Sequence, residues 1–265
     1  MGNAQVIDID DTFDAQGGEI QTSGITLGAD AQVRNNLLMG VAFDYVDSDI
    51  DWNSGGNASV QGGKGSIFGT WFNGKYHVDG MIGGGFNSYD TKRLSIDGYA
   101  TGSTDGYDVE ALLGGGCDHQ LGQFTLSPGA SLFYTRVSIA GFTETGSLAP
   151  LAIDTIDGNS LLGRLGANLT YNTKIGDVLL KPTIGVFYQY EFLDAVHSVD
   201  SRLASGAGSS FSVEDAETGR GSLPVSIGLN VQWSPRVGMH MAYEQTLLRQ
   251  NASEYNVRAG VNIGL

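Results

Sequence analysis

The 265-residue sequence contains no apolar stretch of the roughly 18 residues that a membrane-spanning helix requires. A single cysteine, Cys117, leaves no route to an intrachain disulfide or a cysteine-built metal site. Proline is scarce, with 5 residues, and 14 lysines and arginines stand against 29 aspartates and glutamates. The formal charge of −15 argues against nucleic acid or an anionic bilayer surface as the main partner. The opening Met1-Gly2 lacks the charged-then-apolar run of a secretory signal. The expectation is therefore a cropped mature domain, with its export signal lying upstream.

Glycine is what abounds, at 40 residues, beside 11 tyrosines and 11 phenylalanines. That mixture suits many strands joined by turns. Mean hydropathy is close to zero, at −0.08. A membrane barrel averages to such a value because lipid-facing apolar residues alternate with lumen-facing polar ones.

Period-two alternation is sustained along the chain. From Gly221 to Trp233, Leu223, Val225, Ile227, Leu229, Val231 and Trp233 share one face, and Pro224, Ser226, Gly228, Asn230 and Gln232 share the other. The last segment repeats this, with Tyr255, Val257, Ala259, Val261, Ile263 and Leu265 against Asn256, Arg258, Gly260, Asn262 and Gly264. Only a strand segregates residues in this way. Ten further segments follow the rule, the weakest near Ala4 to Phe13, and Leu38 is an exception on its apolar side.

Two features favour a membrane barrel over a soluble sandwich. The strands are long, near the roughly 9 to 11 residues that a tilted membrane strand needs. Aromatic residues also sit towards segment ends on the apolar face: Tyr45, Trp71, Tyr76, Tyr107, Tyr134, Tyr171, Tyr190, Trp233, Tyr243 and Tyr255. Such rings match the girdles at the two membrane interfaces. The connections alternate as well. Short ones fall at Arg34 to Asn36, Asn73-Gly74, Gln120 to Gly122, Asn172 to Gly176 and Ser234-Pro235. Long ones are expected near Asp47 to Asn57, Thr91 to Asp105, Val137 to Gly158, Asp194 to Gly219 and Leu247 to Ser253. Short turns on one side and long loops on the other are the outer-membrane pattern. The sequence thus predicts an all-β chain, residues 1–265 forming one transmembrane antiparallel β-barrel of about twelve strands.

The polar face supplies the expected lumen lining: Asp30, Asp44, His77, Asp79, Glu110, Asp118, Arg164, Lys181, Gln189, Glu191, His240, Glu244 and Arg258. These residues serve either as a hydrophilic conduit or as cross-lumen ion pairs bracing a narrow barrel. The lumen glycines leave space for a threaded segment or relieve crowding where strands curve. No catalytic, cofactor or metal site is expected. His77 and His240 lie near Asp79 and Glu244 in sequence, but no spacing demands a general base. The acidic runs Asp8 to Asp11 and Asp47 to Asp51 lack the calcium-loop pattern and are read as solvated. Gly62-Gly63-Lys64-Gly65-Ser66 lacks phosphate-loop spacing.

Three stretches carry a family resemblance. YQYEFLD, Tyr188 to Asp194, resembles the aromatic strand of the C-terminal translocator domains of autotransporters, with tyrosine where that family usually has histidine. LLGRLGANL, Leu161 to Leu169, is similar to the family's RLG-bearing strand, and Gly28 to Tyr45 to its second hairpin. The resemblance implies an outer-membrane barrel that carries an N-terminally attached passenger to the cell surface. It further implies partnership with lipid, lipopolysaccharide, the barrel assembly machinery and the passenger, a monomeric state and no bond chemistry. The family's helical linker and passenger would lie ahead of Met1. The alternative function is a stand-alone outer-membrane pore or surface adhesin barrel.

Overall fold

The computed structural model describes residues 1–12, 15–193, 198–214 and 218–264. Phe13, Asp194, His197 and Leu265 fall outside them, and with them the end of the YQYEFLD motif and the last apolar position of the final segment. Among the described residues twelve strands build the wall: β1 (Gly2–Ile9), β2 (Gly18–Arg34), β3 (Leu37–Trp52), β4 (Gly56–Asn73), β5 (Tyr76–Ser95), β6 (Gly98–Cys117), β7 (Phe124–Ile139), β8 (Ile156–Tyr171), β9 (Val178–Glu191), β10 (Gly221–Ser234), β11 (Val237–Leu247) and β12 (Ala252–Ile263). Each pairs antiparallel with its sequence neighbour, as neighbouring strands joined by hairpins do. β1 pairs with β12, Gly2 opposite Ala259 and Ile9 opposite Ala252, and closes the sheet into a barrel with both ends of the chain at one seam.

The wall is inverted relative to a soluble protein. Ile82 is 65% exposed and Phe86 80%, whereas the buried hydrophobic residues among those described are Ala58, Ala100 and Val231, and the largest fully buried side chain is Pro224. The apolar side chains therefore point outwards, into a medium that must be lipid. In β5 the outward positions read Tyr76, Val78, Gly80, Ile82, Gly84 and Phe86, then Ser88, Asp90 and Lys92. Residues 76 to 86 thus form the membrane band, of the length a tilted strand needs. Trp71, Tyr76, Tyr171 and Trp233 lie near the short turns. Tyr45, Tyr107, Tyr134, Tyr190, Tyr243 and Tyr255 sit further along their strands, towards the opposite rim.

Two of the expected long connections are strand instead. β3 runs to Trp52 and β4 starts at Gly56; β5 runs to Ser95 and β6 starts at Gly98. The hairpin tip holds Asp97 and Gly98 at φ of 61° and 122°. Above the membrane band the outward positions turn polar, at Asp47, Asp49 and Asp51 of β3, while Ile50 and Trp52 take the inward face, so the outward-apolar pattern ends and the stretch reads in sequence as a loop. The strands β4 to β6, of 18, 20 and 20 residues, stand beyond the band as a collar. A small separate sheet accompanies it, built from Phe142–Thr143, Leu151–Ile153, Ser198–Leu203 and Phe211–Glu214.

One buried carboxylate clasps this collar. Glu144, 3% exposed, accepts from Arg93 Nε at 3.0 Å, from Arg93 Nη2 at 2.6 Å and from the Leu151 amide at 2.8 Å. The bidentate geometry makes this the strongest type of side-chain pair. Arg93→Ala strands the carboxylate away from water, which a buried charge does not tolerate. The expected result is faster amide exchange and protease nicking within residues 140–153, while the barrel itself remains folded.

Candidate conduit inside the barrel

The residues that face inwards are fixed by pairing register. Asp44 stands opposite Lys64, Gln189 opposite Arg164, Lys181 opposite Asn230, His240 opposite Gly260, and Arg258 opposite Ala242. Asp30 sits across from Gly40, Asp79 across from Thr70, and Glu244 across from Asn256. All lie on the side opposite the exposed apolar residues, since successive strand side chains alternate. Asp118 follows β6 at the short-turn rim, where it is exposed and accepts a hydrogen bond from Ser127 Oγ.

The fold brings some of these residues together across long stretches of sequence. Arg164 on β8 reaches Glu244 on β11 at 2.7 Å, and Arg258 on β12 approaches the same carboxylate at 3.9 Å. The Arg164 guanidinium also lies 5.0 Å from the Phe187 ring centroid, a cation–π placement. His77 Nε2 is 3.7 Å from Asp79, whose carboxylate also accepts from Thr70 Oγ1 at 2.7 Å. Glu191 is turned to the wall, accepting from Ser160 Oγ at 2.6 Å and from the amides of Leu161 and Leu193 at 2.8 and 3.1 Å. Glu244 is paired with the two arginines and not with His240. No group of three His, Cys, Asp or Glu side chains among the described residues is placed to hold a metal.

Two lumen features escape sequence reading. Lys64, in the glycine-rich run of β4, spans the strand between to reach Asp108 at 3.2 Å and Glu110 at 3.1 Å on β6. Asp108 is 4% exposed and also accepts from Asn87 at 2.9 Å. The alternation of Lys64, Ser66, Phe68 and Thr70 is the signal that places Lys64 inwards. Lys64→Met leaves these carboxylates without their cation, and the expected loss of barrel stability is about 3 kcal/mol by urea titration. The second feature is an apolar row inside the lumen. Phe68, Met81, Leu112, Phe133 and Leu162 are direct register partners on five consecutive strands.

Glycine makes room along the wall for several large inward side chains. These lie over a glycine of a neighbouring strand. Phe68 covers Gly40, Phe187 covers Gly166, His77 covers Gly116 and His240 covers Gly260. A Cβ on Gly116 would stand 2.9 Å from His77 Cε1, and one on Gly85 would stand 2.6 Å from Lys64 Cγ. These glycines are footprints for neighbouring side chains.

The Met1 amino group donates to the Thr26 carbonyl at 2.7 Å. A cavity of about 1160 Å³ lies by the seam of β2 and β12, lined by Asp30, Lys181, Asn230 and Asn262 from the lumen side and by Ala31 and Val261 from the outer face.

A twelve-stranded barrel with a polar, glycine-cleared lumen is matched by one family model, the autotransporter beta-domain, over residues 1–244. The chain belongs to this family. No curated protein matches the sequence. Among solved structures, the translocator domain of autotransporter NalP from Neisseria meningitidis is similar at 16% identity, with a TM-score of 0.80, over 99% of this chain and 86% of that one. The beta domain of the Bordetella autotransporter BrkA follows at 15% identity and a TM-score of 0.69, over 100% and 98%. The transport unit of AIDA-I from Escherichia coli gives 11% identity and a TM-score of 0.66, over 100% and 89%. At such identities the likeness speaks for the fold. As an autotransporter β-domain the chain is an integral outer-membrane barrel, with its short turns on the periplasmic side and its collar outside.

Proposed function

We propose that residues 1–265 act as one translocator domain, inserting in the outer membrane and supporting the export of a passenger attached ahead of Met1. The observation that carries this reading is the joint one of family and inner wall: an autotransporter barrel whose inward face carries charged and polar side chains, several of them lying over glycines. A polar wall holds an unfolded chain in water without offering it a deep apolar pocket. The lumen-lining residues provide that wall, and the aromatic positions anchor the barrel at the two interfaces. No bond chemistry belongs to the domain. Outer-membrane lipid and lipopolysaccharide surround its apolar band, the barrel assembly machinery inserts it, and it works as a monomer. The linker helix and passenger belong to chain outside this domain.

The test is a fusion. A signal peptide and a small reporter domain are placed ahead of Met1, and intact cells are treated with protease. Surface cleavage of the reporter is the expected result. A barrel that inserts while its reporter stays in the periplasm would overturn the reading and leave a stand-alone pore.

A further inference from the structure

The inner wall is electrically lopsided. On β2 to β6 it carries Asp30, Asp44, Asp79, Asp108 and Glu110 against Lys64 and, in the collar, Arg93, which is committed to Glu144. On β8 to β12 it carries Arg164, Lys181 and Arg258 against Glu191, Glu244 and Glu254, an even balance. Lys64 is already committed to Asp108 and Glu110. Arg164 and Arg258 are committed to Glu244. Asp30 and Asp44, by contrast, have no lysine, arginine or histidine within ion-pair distance among the described residues; Asp44 accepts from the Thr26 hydroxyl, and Asp30 faces the seam cavity. The excess negative charge therefore sits on one side of the lumen, and Asp30 and Asp44 make no ion pair there among the described residues, although Lys181 lines the same cavity as Asp30. Low-dielectric walls focus such a field into the water they enclose.

We infer that this barrel is a cation-selective conduit, and that a segment held within it turns basic side chains towards the β2–β6 wall. The first half is an activity of the empty barrel; the second rests on the translocator reading. The chemistry is that of acidic rings in cation pathways, where fixed carboxylates raise the local concentration of positive charge and repel chloride. The outer face of the collar acts in the same sense. Asp47 and Asp49 on β3, Asp90 on β5 and Asp105 on β6 stand above the membrane band and bring cations to the external mouth.

The decisive measurement is the reversal potential of the purified 265-residue chain in a planar bilayer under a potassium chloride gradient. The expected sign is that of potassium permeation, several-fold above chloride, and the ratio falls towards unity in the triple variant Asp30→Asn, Asp44→Asn, Asp79→Asn. Asparagine keeps the hydrogen bonds from Thr26 and Thr70, and circular dichroism in detergent checks that the variant is folded. A helical lysine-rich peptide added on the periplasmic side is expected to block at lower concentration than its glutamate-rich counterpart, and this preference also weakens in the variant. A chloride-selective or non-selective native barrel overturns the inference, as does native selectivity that survives in the triple variant. Equal block by the two peptides overturns its second half. Surface display of the reporter is read separately, so a barrel that exports its passenger without selecting cations sinks this inference and spares the translocator.

Discussion

Ile82→Arg is expected to destabilise the inserted barrel by about 2–4 kcal/mol, whereas Met81→Arg changes it by about 1 kcal/mol or less. The two positions are consecutive in β5 and point to opposite faces. Ile82 lies near the middle of the band from Tyr76 to Phe86 and is 65% exposed to what must be acyl chains. A guanidinium there has no water and no counter-charge. Met81 faces the lumen within the apolar row, between Phe68 and Leu112, where a long cation extends into water. Urea titration of each variant folded into vesicles measures the difference. A larger loss at Met81 than at Ile82 would mean that the inside and the outside of the wall have been exchanged, and equal losses would overturn the difference between the two faces.

Gly40→Val is expected to lower single-channel conductance markedly, and Gly40→Val with Phe68→Ala to restore most of it. The Phe68 ring occupies the space that a Gly40 side chain would need, and the Ala29 carbonyl stands 2.8 Å from the added Cβ. The wall is hydrogen-bonded on both sides of β3 here and yields less readily than a ring turning about its χ1. Phe68 therefore swings inwards, into the passage. Removing the ring in the double variant frees the position again. If conductance is unchanged by the single substitution, the glycine is a relic of strand curvature and not a footprint.

The barrel itself was largely legible because alternation is local. In Leu223 to Trp233 each side chain announces its face from its parity alone, and the inward placement of Asp44, Glu110 and Arg258 follows from the same rule. The collar was not legible, because above the band the contrast reverses: Asp47, Asp49 and Asp51 face water outwards while Ile50 and Trp52 take the inward face, so the band's outward-apolar rule stops and the stretch reads as an acidic loop. Pairings across the lumen were hidden for another reason. Arg164 and Glu244 are 80 residues apart, and nothing in either segment fixes the stagger that brings them to 2.7 Å. Register between strands is a property of the closed sheet. Lys64 was weighed only as part of a run without phosphate-loop spacing; its glycine neighbours let its chain lie along the wall.

The collar sets the height at which anything leaving the barrel first meets open water. From Phe86 to Ser95, β5 continues for nine residues beyond the last apolar residue of its membrane band, a rise of about 30 Å along the strand before tilt is allowed for. An emerging polypeptide is thus walled in over that further stretch. Release and first folding occur at the lip of a chimney, held upright by Arg93 and Glu144, and not at the bilayer surface.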